Sequence, residues 1–189
     1  MKTLQRYWFL WTLVCACLGA CEPEPEHQFE VFVIPQGEHY CRNRRPEALQ
    51  TNVLEFRVRF DSSAIYRFDD KGFQDSKNKL LGFSDCNFDH HENSARFGWQ
   101  WYNNRLEIYA YCYVNGQRVE QFLGVTEVNA IDNYRLTLTD RAYIFSFKDN
   151  QVTIPRGTAC EQGVYMMLWP YFGGQLPAPH EVSISIDRF

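Results

Sequence analysis

Tyr109, Tyr111 and Tyr113 alternate along one short stretch of the chain. A spacing of two places all three on the same side of a β-strand. Flat rings take the C–H faces of sugars, and polar groups converging beside them hydrogen-bond the hydroxyls. The turn dipeptides Asn103-Asn104 and Asn115-Gly116 flank this stretch. Both tolerate the positive φ that two-residue hairpin loops require. With such loops, residue 101 falls opposite 106, 97 opposite 110, 112 opposite 119 and 108 opposite 123. Arg96, Gln100, Glu107 and Glu120 then share the tyrosine face, making it a candidate glycan-binding surface. Phe97, Trp99, Leu106, Ile108, Ala110, Cys112, Val119 and Leu123 share the other face, as a core would. The competing reading is that a second sheet or the long loops cover the tyrosines, since tyrosine often buries its ring with only the hydroxyl wet.

Catalysis fits this set less well. Glycoside hydrolysis needs two carboxylates flanking one bond, about 5–9 Å apart. Glu107 lies opposite Gly124 in this register and Glu120 opposite Tyr111. That separates them by roughly four residues of strand, on the order of 13 Å. A polysaccharide lyase would use Arg, Gln, His and Tyr around a uronate. Arg96, Gln100, Tyr109 and Tyr111 offer most of these types, with His90 or His180 from a loop. No residue is assigned a catalytic role. Asp85, Asn87 and Asp89 have a spacing that can wrap calcium with oxygen ligands, but His90 and Arg96 stand where an EF-hand needs Gly and Glu. A solvated polar loop is the simpler reading, and no other cofactor is expected. The loop from Trp169 to His180, rich in rings, Gly and Pro, reads either as a ligand rim or as a lid over the sandwich end.

The elements that must hold these residues read as β throughout. VLEFRVRF at 53–60 alternates apolar and polar residues, the pattern of a half-buried strand. Further strands are expected at 28–34, 134–139, 142–148, 151–154, 164–169 and 181–186, with residues 35–52 and 69–93 as loops. The Asp149-Asn150 turn sets Phe147 opposite Val152 and Phe145 opposite Ile154. No stretch has a helical period. Short strands between regular turns indicate an all-β antiparallel sandwich or barrel.

The start of the chain has a different character. Residues 1–6 carry Lys2 and Arg6 and no acid, and residues 7–20 carry no charge. This is the layout of a secretory leader. Leu18-Gly19-Ala20-Cys21 resembles the lipobox of bacterial lipoproteins. That resemblance implies a signal peptide over 1–20, cleavage before Cys21 and lipid on its sulfur; several acyl chains give stable anchoring. Residues 21–27 then form an acidic, proline-rich spacer, extended and solvated, and 28–189 a single domain. Acidic residues after the cysteine also resemble the surface-export signal of Bacteroidetes-type lipoproteins, which implies an outer-membrane location facing outward; a periplasm-facing one is the alternative. Without Lys2 and Arg6, 17 basic residues face 23 acidic ones. The negative balance argues against nucleic acid, and membrane contact rests on the lipid. Cys41, Cys86, Cys112 and Cys160 remain as disulfide candidates in an oxidising compartment. Their pairing is open, and free buried thiols are the alternative.

The stretch from Phe97 to Ile154, with its YVNG turn at 113–116 and its YIFSFKDNQVTI hairpin, resembles the concanavalin A-like jelly roll of lectins and glucanases. The blocks GFSDCN, ARFGWQWYNN, YCYVNG and PYFGG with PAPH also resemble a group of bacterial surface lipoproteins that brings no settled activity. Together these imply a lipid-anchored jelly-roll sandwich with a glycan-binding face. A glycan-cleaving enzyme and an adaptor subunit of an envelope complex are the alternatives. Fold alone does not decide among them.

Overall fold

Alternation of apolar and polar residues gives each strand one oily face, and two sheets bury those faces against each other. A computed structural model describes residues 28–157 and 163–189. The leader, Cys21, the spacer and Cys160 lie outside the described residues. In chain order the strands are β1 (Glu30–Ile34), β2 (Ala48–Leu49), β3 (Val53–Phe60), β4 (Asn78–Ser84), β5 (Ser94–Tyr102), β6 (Arg105–Val114), β7 (Gln117–Thr126), β8 (Ile131–Leu138), β9 (Ala142–Phe147), β10 (Asn150–Pro155), β11 (Tyr165–Leu168) and β12 (Val182–Arg188). They form two six-stranded sheets, β1-β12-β3-β8-β9-β10 and β2-β11-β4-β5-β6-β7. Every pairing is antiparallel.

The core between the sheets is aromatic. Phe56 of β3 meets Phe97 of β5 edge-on at 5.7 Å, Phe97 meets Phe145 of β9 at 5.1 Å, and Phe60 meets Trp99 at 5.1 Å. Burying one such side chain is worth about 1.5–3 kcal/mol. A one-residue slip of β5 would turn Phe97 and Trp99 outward together, so the core fixes the register and sends the alternate residues to the outer face.

The hairpin β5–β6 has the expected pairing, with Trp101 opposite Leu106 and Phe97 opposite Ala110. Its turn residues Asn103 and Asn104 both have positive φ, as do Asn115 and Gly116 in the next turn. Cys112 lies opposite Val119, but Ile108 lies opposite Gly124 instead of residue 123. Leu123 is an extra residue, a bulge, and Glu107 consequently faces Val125 instead of Gly124. The β9–β10 turn falls at Lys148-Asp149, so Phe147 pairs with Asn150 and Phe145 with Val152. This register is two residues from the expected one, and an even shift leaves each side chain on its face.

The stretch 69–93 is not all loop. It contains α1 (Lys71–Gln74), whose four residues are too few to leave a period, and the whole of β4. Strand β4 evades the alternation rule because its register shifts between Lys79 and Gly82, and Leu80 and Leu81 are both buried. The chain 35–52 likewise holds the two-residue β2. Two of the cysteines expected to be disulfide candidates, Cys41 and Cys112, are free buried thiols. Cys112 sits in the core between Ala95 and Val119, where a thiol packs as a small hydrophobe. Cys86 is disulfide-bonded.

Candidate functional site

The outer face of the β4-β5-β6-β7 sheet carries the tyrosine row, because the inner face is spent on Phe97, Trp99, Ile108 and Ala110. The second sheet packs on that inner face, so it does not cover the tyrosines. The row nevertheless divides into two parts with different surroundings.

At the end near Asn103, polar groups bond one another, with the buried Gln100 Oε1 left without a hydrogen-bond partner among the described residues. Glu107 Oε2 accepts from the Tyr109 hydroxyl at 2.6 Å and from Gln100 Nε2 at 2.9 Å. Its Oε1 accepts from Arg105 Nε at 2.7 Å. Burial would raise the Glu107 carboxyl, but hydrogen bonds from Tyr109, Gln100 and Arg105 outweigh it and hold it below its usual value. The Tyr109 phenol is pushed up by burial and by that carboxylate. Lys77 lies 4.8 Å over the Tyr109 ring and Phe122 packs edge-on at 5.6 Å. Gln100, Glu107 and Tyr109 therefore form a bonded structural cluster, and a ligand would have to break it.

At the other end the face opens into a cleft of about 550 Å³. Arg96, Tyr111 and Tyr113 line it. Glu120 stands at its edge, engaged by Arg118 at 3.1 Å and Lys77 at 3.9 Å. Glu107 and Glu120 make no catalytic pair, since Glu120 faces Tyr111, four residues along β6 from Glu107. The cleft lining contains no Asp or Glu, so the two carboxylates of glycoside hydrolysis are missing there among the described residues.

Two lining residues, Lys79 and Tyr40, had no signal in the sequence, whereas Tyr171 lies on the loop expected as a ligand rim or a lid. Lys79 belongs to the hidden strand β4. Tyr171 is drawn alongside it by a pair of backbone hydrogen bonds, Lys79 N to Tyr171 O at 2.8 Å and Tyr171 N to Lys79 O at 3.0 Å. Tyr40 bridges to Tyr171 in turn, and their rings meet edge-on at 5.0 Å. The loop 169–180 thus plays both expected parts: Tyr171 walls the cleft, while Phe172 is buried in the core. His180 Nε2 donates to the Ser63 carbonyl at 2.8 Å and does not line the cleft, whereas His90 does.

The floor is basic. Arg96 is buried, its Nη2 donates to the Trp169 carbonyl at 2.5 Å, and its Nε has no hydrogen-bond partner among the described residues. Burial lowers its pKa to about 10. Gly82 makes room for it: a Cβ there would stand 2.1 Å from the Ala95 carbonyl oxygen and 2.5 Å from the Arg96 Cα. Lys79 Nζ donates to the Lys77 carbonyl at 2.8 Å and lies 4.7 Å over the Tyr111 ring. Burial, then the Arg96 charge, lowers the Lys79 pKa to about 7. Burial also raises the Tyr111 phenol, so this ring is a neutral wall at neutral pH.

The calcium expectation at Asp85, Asn87 and Asp89 does not hold as a ligand set. Asp85 is fully buried; its carboxylate accepts from Arg156 Nε at 2.6 Å and Nη2 at 2.7 Å, and from the Tyr143 hydroxyl at 2.5 Å. An arginine already neutralises the charge that calcium would need. Asn87 Oδ1 is taken by the Val164 amide at 3.0 Å, and Asp89 Oδ1 by the His91 amide at 2.8 Å.

No protein-family model matches the chain, and no curated protein matches it. Solved structures do. Alginate lyase AlyC3 superposes with a TM-score of 0.59 at 12% identity over 84% of this chain and 72% of that one. A family 16 endo-glucanase from Bacteroides ovatus, solved with the ligand G4G3G-2F-DNP, gives 0.57 at 8% identity over 88% and 81%. The laminarinase catalytic domain from Thermotoga maritima gives 0.56 at 9% identity over 86% and 76%. At these identities the likeness defines the fold, and the chain is an antiparallel β-sandwich of the concanavalin A-like jelly-roll type.

Proposed function

We propose that this chain is a lipid-anchored bacterial envelope protein that binds a glycan in the cleft between Tyr111 and Tyr171. The observation that carries the reading is the cleft itself. Tyr40, Tyr111, Tyr113 and Tyr171 line one open hollow of about 550 Å³, with Arg and Lys groups converging beside the rings. Aromatic walls with a few convergent polar groups are the usual design of a ligand site. Binding without cleavage is favoured because the cleft lacks a carboxylate pair. Structures of similar fold include an alginate lyase and a family 16 endo-glucanase, which supports a glycan as ligand. The lipid anchor, the outer-membrane location and the outward orientation rest on residues 1–27 alone.

One observation favours a second reading. Arg96, His90, Gln175 and Tyr111 line the same cleft, and these residue types suit β-elimination from a uronate. Release of unsaturated products from uronate polymers would support it. Screening the full-length protein on a glycan array tests the main reading: retention of a defined glycan class without product release supports it. A stable envelope partner with no glycan signal would favour the adaptor alternative. For the anchor, Cys21→Ser is expected to release the protein from the membrane fraction.

A further inference from the structure

Arg96 and Lys79 both line the cleft, and neither has a carboxylate at ion-pair distance among the described residues. Arg96 is more than nine-tenths buried, and its Nε hydrogen points to no acceptor. A buried guanidinium normally sits against a carboxylate, because a desolvated charge without a counter-charge is costly. Elsewhere this chain follows that rule. Arg156, nearly as buried, grips Asp85 with two nitrogens. The exception at Arg96 is therefore local, and it falls at the base of an open hollow.

We propose that Arg96 and Lys79 form an anion subsite that captures an acidic group on the glycan, a carboxylate or a sulfate ester. This rests on the glycan reading of the same cleft and adds the chemical class of the ligand. The fork of Arg96 supplies a permanent charge and donors for a planar or tetrahedral oxyanion. Lys79 supplies a charge that forms on binding: the neutral amine takes a proton from solvent as the anion arrives, giving an ammonium beside it, and no bond breaks in the ligand. An anion raises the Lys79 pKa, so affinity for the anion must fall as pH climbs past 7.

Lys79→Gln separates the lysine's response from that of the other groups facing the site. Arg96 on β5 keeps its charge, with a pKa lowered only to about 10. The phenols of Tyr111 on β6 and Tyr171 are pushed up by burial. On β7, Glu120 is held by Arg118. On the loop, His90 and His91 line the same cleft, and burial lowers the His90 pKa. Lys77, on the same segment, points to Asp75 at 2.7 Å.

Isothermal titration of the full-length protein tests this with four probes: an oligouronate, a sulfated oligosaccharide, a neutral gluco-oligosaccharide and inorganic sulfate. Measurements at pH 6.5 and 8.5, in buffers of different ionisation enthalpy, count protons. The expected result is binding of an acidic oligosaccharide with proton uptake and an affinity several-fold weaker at pH 8.5. Lys79→Gln abolishes both the uptake and the pH dependence. Arg96→Gln weakens binding about thirty-fold or more, the loss typical of removing one partner of a buried charge pair. Lys79→Gln keeps the test decisive if Arg96→Gln fails to fold. The oligouronate and sulfated arms identify the acidic group. Equal binding of the neutral probe, or acidic binding without proton uptake, overturns the inference and leaves the glycan reading standing. Sulfate binding with proton uptake but no oligosaccharide binding supports the subsite and overturns the glycan reading. No binding of any probe overturns both.

Discussion

Replacing Lys79 with methionine is expected to stabilise the fold, although it removes a side chain from the heart of the cleft. The lysine pKa drops from 10.5 to about 7 on folding, with burial as the leading cause. At about 1.4 kcal/mol per tenfold step this corresponds to a ceiling of about 5 kcal/mol against the charged form. Relaxation and water access reduce such penalties, and a gain of about 2 kcal/mol for Lys79→Met is the working figure. The sign follows from proton counts. Below pH 7 the lysine is charged in both states, and the full penalty is present. Between about 7 and 10.5 the unfolded chain holds the proton that the folded chain lacks, so wild-type stability rises with pH. The advantage of the methionine variant is therefore largest at pH 6 and shrinks by pH 9. Urea unfolding followed by tryptophan fluorescence at both pH values measures it. A methionine variant less stable at pH 6, or an advantage that does not change with pH, would refute the reasoning.

Three further outcomes are expected. Gly82→Ala forces a Cβ to 2.1 Å from the Ala95 carbonyl oxygen; both strands must shift, at a cost of roughly 1–3 kcal/mol, visible as a lower midpoint in chemical denaturation. The Tyr134 hydroxyl is buried without a hydrogen-bond partner among the described residues, so Tyr134→Phe should leave stability unchanged or raise it by up to about 1 kcal/mol, measured by differential scanning calorimetry. Asp85→Ala strands the Arg156 guanidinium and the Tyr143 hydroxyl and should cost about 3–5 kcal/mol; a thermal midpoint within a degree of wild type would show that this cluster is not structural.

The sequence carries the sandwich plainly wherever alternation is regular. VLEFRVRF and the two Asn-initiated turns read directly as strand and hairpins, and the faces of β5 and β6 follow from them. Departures occur where the backbone counts differently. The Leu123 bulge shifts β7, and the Leu80-Leu81 pair hides β4 by breaking the period of two. Half of the tyrosine face was therefore legible, through Arg96, Tyr111 and Tyr113. Lys79, Tyr40 and Tyr171 come together only through long-range backbone pairing, which leaves no local trace. Nor does spacing reveal that Gln100, Glu107 and Tyr109 would bond one another, or that Asp85 would find Arg156 across 71 residues of chain.

The division of the tyrosine row gives the most direct test of the cleft as the binding site. Tyr111 lines the cleft, while Tyr109, two residues away on the same face, belongs to the bonded cluster at the other end. Glycan affinity measured side by side for wild type, Tyr111→Ala and Tyr109→Ala separates the two, with thermal melts to verify folding. The predicted result is a loss of at least about tenfold for Tyr111→Ala, as stacking worth about 1.4 kcal/mol disappears, and near-wild-type binding for folded Tyr109→Ala. Unchanged binding by Tyr111→Ala, with the loss falling on Tyr109→Ala, would contradict the account.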